Sequence, residues 1–445
     1  MNRLAIKSLA LAMAWAMPGL AMAQSTPIDV LNRFTDSGSQ REVARAIGTL
    51  CPAGNRLSAR LQQDCNSLVG AAFGNDASVR SAISRITPDN VRVAVDRGQL
   101  LRRSQNRAAR GAAIGAGKFP GGGMALGENW ISSDGYSYAS AGESFGDWGF
   151  YATLEFNRSE RDASLNQDGF DGDGQSLTLG LDHRFDGGWV FGGSVLFGSS
   201  DVDFTAGSGD QEIDERGFNL HASWAGATGW YADSLLSFGQ RETDQTRLIG
   251  YTLGSGNSSV GVNQSYSADY DSDTRLIAVT LGRRFDQGSW SFDPYAMLES
   301  LQADVDAYDE IASSPDAAGA GWAVRVAEQE ESFTRGTLGV RASWVLSGDN
   351  GVFLPFIDLG FVNVLNSDEA DAFVRYTGDR SDAVGQQRLN FAMRADGEDD
   401  SYGRVAIGIS AQFAEGRSGF VRYAQHFGEA RYSVREFQLG GRFEF

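Results

Sequence analysis

Past its first two dozen residues, this 445-residue chain has no uncharged apolar run approaching about 18 residues, the length a helical membrane span requires. Helical spans are therefore excluded. Cysteine is nearly absent, with only Cys51 and Cys65, and no histidine lies near them, so a zinc-type centre lacks ligands. Their spacing of 14 in an exported segment predicts a disulfide instead, which by chain entropy contributes roughly 3 kcal/mol. Histidine is equally sparse: His183, His221 and His426 are all there are, leaving few candidates for acid–base chemistry. Proline is scarce (8) while glycine is abundant (56) and aromatics reach 11%. The acidic run Asp168-Gly169-Phe170-Asp171-Gly172-Asp173 lacks EF-hand spacing and a closing glutamate, and reads as a solvated loop. No cofactor or metal is predicted.

What is present begins at the N-terminus. Arg3 and Lys7 precede an apolar stretch over 9–20 that closes on Ala21-Met22-Ala23, the small-x-small pattern of a secretory leader. Cleavage is expected between Ala23 and Gln24. The charge that follows is asymmetric. Residues 24–118 carry 14 basic and 7 acidic side chains, and residues 119–445 carry 22 and 50. An exported chain of net charge −19 is a poor nucleic-acid ligand, so that partner is excluded.

Apolar spacings at Val43, Ala46, Ile47, Leu50 and at Leu57, Leu61, Leu68 predict short helices within 24–86. So short a segment has a marginal core unless it is stapled. Thr87-Pro88-Asp89 then reads as a helix start, and 87–110 as a helix bearing Arg92, Arg97, Arg102, Arg103, Arg107 and Arg110. Residues 111–146 form a glycine-rich connector.

From Asp147 onward twelve strand candidates alternate between short and long connections. The short ones, at 184–189, 224–230, 284–290, 346–351 and 413–419, are Gly/Asp/Asn/Ser turns. The others, such as 157–172, 249–265, 303–328 and 366–400, are long and polar or acidic. Six of the nine tryptophans (Trp148, Trp189, Trp224, Trp230, Trp290, Trp344) fall at the short-turn ends, as an interfacial aromatic girdle would. Trp148, Phe150, Ala152, Leu154 and Phe156 share one strand face opposite Tyr151, Thr153, Glu155 and Asn157. The last strand alternates as well, with Phe437, Leu439, Phe443 and Phe445 on one side. A soluble sandwich also alternates, but it does not explain one-rim tryptophans together with turn–loop alternation. The fold class predicted is an all-β transmembrane antiparallel barrel of twelve strands over 147–445, with short turns in the periplasm, preceded by a lumenal α-helix and a small α-helical N-terminal segment.

Leader, exported segment, helix directly before the strands, twelve strands and terminal Phe445 together resemble the type V autotransporters, and 140–445 is similar to their β-domain. The 174–185 stretch, Gly-Gln-Ser-Leu-Thr-Leu-Gly-Leu-Asp-His-Arg-Phe, is similar to the second strand of that domain. The resemblance implies a Gram-negative outer-membrane location with loops at the cell surface and a helix threading the lumen. It also implies a passenger emerging at the surface and a terminal aromatic strand read by the barrel-assembly machinery. An acidic lumen would accommodate the arginine helix; a solvated basic helix on the periplasmic face is the alternative. The departure is the passenger. Residues 27–86 are too short for a β-helix and contain no protease triad, esterase block or repeat. His426, near the long-loop rim beside Glu429, is the one histidine placed for an omptin-like hydrolase, but spacing alone does not establish such a site, and no enzyme activity is predicted. The expected function is to anchor and export or display the short N-terminal segment. The alternative is a stand-alone barrel acting through acidic surface loops as an adhesin, or as a helix-plugged pore. Outer-membrane lipid and lipopolysaccharide, the assembly machinery and a host or neighbouring-cell surface are the expected partners of a monomer.

Overall fold

The computed structural model describes residues 25–91, 147–254, 259–368, 371–394, 400–414 and 416–445. The leader with its Ala23–Gln24 cleavage point, the arginines from Arg92 to Arg110 and the connector 111–146 lie outside the described residues.

Twelve antiparallel strands form the barrel: β1 (Trp148–Arg161), β2 (Phe170–Phe185), β3 (Trp189–Phe204), β4 (Gly209–Ala225), β5 (Trp230–Leu253), β6 (Val260–Arg283), β7 (Trp290–Val305), β8 (Gln329–Trp344), β9 (Gly351–Asp368), β10 (Ser401–Gln412), β11 (Arg417–Phe427) and β12 (Tyr432–Glu444). Each pairs with the next, and β12 pairs back onto β1, with Phe437 opposite Phe156 and Phe443 opposite Phe150. No sheet edge is left in the barrel, which is what allows strands to cross lipid with every backbone group satisfied.

Alternation explains the barrel wall. On β3 the outward residues run Trp189, Phe191, Gly193, Val195 and Phe197, and on β9 they run Phe353, Pro355, Ile357, Leu359 and Phe361. Each strand presents about five such positions before turning polar, matching an apolar band about 25 Å tall. Inward positions are polar and buried: Thr153, Glu155, Thr178, Asp182, Asn219 and Asp358 all fall below 5% exposure.

Two of the long connections prove to be partly strand. Strands β5 and β6 are 24 residues each and pair throughout, so 249–265 is the tip of a tall hairpin, and β1 and β2 take half of 157–172. Above the band both faces are polar or mixed, so the hydrophobic alternation that marks a strand fades although backbone pairing continues.

Among the described residues, four α-helices precede the barrel: α1 (Pro27–Leu31), α2 (Gly38–Leu50), α3 (Ala59–Phe73) and α4 (Ser78–Ile86). Their starts are locally encoded. Thr26 and Asp29 form a capping box, Ser37 accepts from Gln40 N, and Ser58 accepts from Leu61 N. Thr87 donates its hydroxyl to Ile83 O, closing α4 at the point where the sequence suggested only a helix start.

Candidate functional site

The helical segment sits on the long-loop rim of the barrel, and the loops fold to receive it. Within 306–328 and 371–394, four short strands (Tyr308–Asp309, Val324–Val326, Ala372–Tyr376 and Phe391–Met393) make a second antiparallel sheet where the sequence pattern predicts only loop. Leu31, Ile47, Leu61, Leu68, Ile83 and Ile86 of the helices share one buried core with Trp322, Val374, Tyr376 and Phe391 of the loops and Tyr251 and Tyr266 of β5 and β6. Neither partner could exclude water from these side chains alone. A 67-residue helical segment is too small for an ample core, and the loops expose one face of a two-sided sheet.

Polar contacts set the docking geometry. Asp64 on α3 is 4% exposed and accepts from Gly319 N (3.0 Å) and Gly321 N (2.9 Å), while Arg60 holds its other lone pairs at 2.6 Å. Both glycines are required there. Gly319 has φ +93, and a Cβ on Gly321 would lie 2.5 Å from Leu61 Cα. Ser58 N donates to Gly378 O (2.8 Å), Arg380 N donates to Arg56 O (2.6 Å), and Gly38 N and Arg394 N complete the contact through Asn166 and Ser39. Asp76 reaches the hairpin tip, accepting from Gly254 N at 2.6 Å; bonds from Ser78 and Gly254 hold its carboxyl below the usual range. Beneath this seam, Arg247 and Glu310 pair bidentately (2.7 and 2.6 Å), Glu310 accepts from Val324 N, and Trp322 Nε1 donates to Tyr251 Oη (2.7 Å). Burial pushes the Tyr376 phenol above its ordinary range. Cys51 and Cys65 are bonded and tie the start of the 51–56 turn to α3.

None of Asp64, Arg247, Glu310, Gly319, Gly321 or Trp322 is singled out by the sequence reading. The available signal is weak: alternating apolar residues at 324–326 and 372–376, and a lone tryptophan after small residues.

Inside the barrel five carboxylates pair with barrel arginines, and Glu155 accepts from Gln438 Nε2 (2.7 Å). Arg284 pairs with Asp293 (2.8 Å), Arg335 with Glu299 (2.8 Å), Arg341 with Asp358 (2.9 Å), Arg422 with Glu436 (3.3 Å) and Arg442 with Asp182 (2.6 Å). Further carboxylates line the outward faces above the apolar band. There Asp173, Asp201, Glu212, Asp244 and Asp269 stand in register on five consecutive strands. Parity places these positions on the outward side, which is solvated at that height.

The six strand-end tryptophans lie together at the short-turn rim. Trp189 is opposite Trp224 and Trp290 opposite Trp344; all but Trp224 are at least 42% exposed on the outward face. Phe445 exchanges backbone hydrogen bonds with Trp148 (2.9 and 3.3 Å), so the terminal residue is part of the closing seam. The histidines are dispersed. His183 packs between Trp148 and Phe185, His221 lies edge-on to Tyr151, and His426 lies beside Tyr402, 3.5 Å from Glu429.

A closed twelve-stranded antiparallel barrel with an apolar outward band and a polar lumen defines an integral protein of the Gram-negative outer membrane. Residues 150–424 match the family model of the autotransporter beta-domain, and the chain belongs to that family. Among solved structures it is similar to the translocator domain of the autotransporter NalP from Neisseria meningitidis, at 14% identity and a TM-score of 0.51, covering 78% of this chain and 97% of that one. It is also similar to the beta domain of the Bordetella autotransporter BrkA, at 19% identity and a TM-score of 0.46, covering 67% and 100%. No curated protein matches the sequence.

Proposed function

We propose that the barrel carries its own N-terminal segment across the outer membrane and retains it at the cell surface as a cap over the barrel mouth. The observation that carries this reading is the core shared between residues 30–91 and the long-loop rim. A segment that stayed in the periplasm would leave that loop sheet and its Trp322 pocket exposed. In this reading the loops are the receptor for the exported segment, and the disulfide closes in the oxidising periplasm before or during passage. The tryptophan rim then marks the periplasmic interface, the terminal strand the element bound by the assembly machinery, and the arginine-bearing stretch 92–110 the link running through the lumen. The chain acts as a carrier and anchor.

An epitope inserted directly after Gln24 tests the proposal. On intact cells, antibody binding to the tag is the expected result. A tag reached only after the outer membrane is permeabilised would overturn it.

A further inference from the structure

At the short-turn rim a cation stands among aromatic rings on the outward face of the barrel. Arg283 follows Ile277, Val279 and Leu281 on that face of β6 and lies directly opposite Trp230 of β5. Its guanidinium carbon is 5.6 Å from the centroid of the Trp230 ring and 4.9 Å from that of Phe285, so two rings hold it. Its Nε is buried and has no hydrogen-bond partner. Among the described residues no carboxylate pairs with it. The acids of the adjoining turn and strand are engaged elsewhere: Asp293 pairs with Arg284 (2.8 Å), and Asp286 accepts from the Ser291 hydroxyl (2.6 Å).

Register with Trp230 places this cation at the boundary of the apolar band, where exposed Phe285, Trp290, Phe292 and Trp344 continue the aromatic surface. A ring face attracts a guanidinium through its quadrupole but offers no lone pair, so the terminal N–H donors still call for oxygen acceptors. At that height water and lipid phosphate supply them. Above Arg283 the wall is recessed. Ala232 lies opposite Leu281 and Ser234 opposite Val279, and across the other edge of β5 they face Trp224 and Ala222. Three short side chains, Ala222, Ala232 and Ser234, are thus half-buried between the exposed Leu220, Val279 and Leu281. At about 3.3 Å per residue and a strand tilt of about 40°, the furrow from Trp230 to Ser234 climbs roughly 10 Å along the membrane normal.

We propose that Arg283 binds the phosphodiester of a glycerophospholipid, with one acyl chain lying in the furrow of Ala222, Ala232 and Ser234. Trp230 and Phe285 already strip water from one side of the guanidinium, so less is lost when a phosphate approaches the other, and its two terminal nitrogens match two phosphate oxygens. The lipid type rests on the orientation proposed above, which sets this rim in the periplasmic leaflet, where glycerophospholipid rather than glycolipid is the neighbour. Surface labelling of the tag tests that orientation separately, so failure of one reading is distinguishable from failure of the other.

The test uses the full chain in mild detergent, with phosphatidylglycerol as probe and native mass spectrometry as readout. R283Q is expected to weaken retention about tenfold, the scale of one charge-assisted hydrogen bond. Diacylglycerol with the same acyl chains should bind wild type as weakly, and R283K should recover part of the loss. A232L, which fills the furrow, should weaken retention of long-chain but not of dihexanoyl phosphatidylglycerol. R325Q, which changes an arginine of the loop sheet away from lipid, should leave retention unchanged. Equal retention by wild type and R283Q overturns the site, as does equal binding of diacylglycerol or an equal loss in R325Q. Unchanged long-chain retention in A232L overturns the furrow. Displacement of the lipid by millimolar inorganic phosphate overturns the lipid assignment and leaves an anion site only, and tighter binding of lipid A than of phosphatidylglycerol overturns the glycerophospholipid class. Heat-modifiable migration verifies that each variant is folded; if R283Q does not fold, phosphatidylglycerol against diacylglycerol on wild type decides alone.

Discussion

Replacing Asp64 with alanine should release the helical cap while leaving the barrel intact. Its carboxylate is 4% exposed and is the acceptor for two buried backbone donors, Gly319 N and Gly321 N, as well as for the Arg60 fork. Each stranded N–H costs about 1–3 kcal/mol, and Arg60, one-fifth exposed, can return to water at smaller cost. The expected loss is about 3–5 kcal/mol, the usual cost of breaking a buried charged pair from one side. That corresponds to roughly two to four orders of magnitude in the cap-opening equilibrium. The assay is amide hydrogen exchange on the folded full chain in detergent, following α3 together with residues 319–326. Barrel integrity is monitored separately by heat-modifiable migration. Protection of α3 should collapse while the β1–β12 seam stays protected. A loss of less than tenfold in α3 protection would refute the reasoning that this carboxylate holds the seam. Gly321→Ala probes the same contact by steric means, since its Cβ meets α3 backbone rather than a movable side chain.

Cys51→Ser with Cys65→Ser removes a 14-residue closure and should destabilise the helical segment by roughly 3 kcal/mol, seen as faster limited proteolysis within 25–91 with the barrel unaffected. Deleting Phe445 removes both backbone bonds to Trp148 and should lower outer-membrane levels more than total synthesis; equal levels in fractionated cells would contradict this. Asp76 has a folded pKa below its ordinary 3.8, so its contribution is present above that value and is lost as pH falls through the lower folded value. Exchange of the Gly254 amide should therefore rise relative to its intrinsic rate below about pH 4, and Asp76→Asn should abolish that pH dependence.

The barrel was legible because its constraint is local and repeated. Lipid contact forces apolar residues onto every second position, so Trp189 to Phe197 or Phe353 to Phe361 identify an outward face without knowledge of any neighbour. The turns were equally plain, because a reversal between adjacent strands needs glycine or a small polar residue at fixed places; Gly188, Gly229 and Gly351 all adopt positive φ there. The cysteine pair was readable by count alone.

The cap seam was not readable in this way. Asp64 is one acid among many on a short helix, and it becomes a ligand for Gly319 and Gly321 only when segments some 255 residues apart meet. Trp322 looks like a loop residue until α3 and β5 enclose it. Composition records how many carboxylates the barrel carries, but only strand parity at a known height decides which side of the wall they face. Local periodicity thus determined the membrane fold, its two rims and its closing strand. Tertiary structure alone decided that the N-terminal helices complete their core on the barrel's own loops, because a core assembled from distant segments leaves no periodic trace in any one of them.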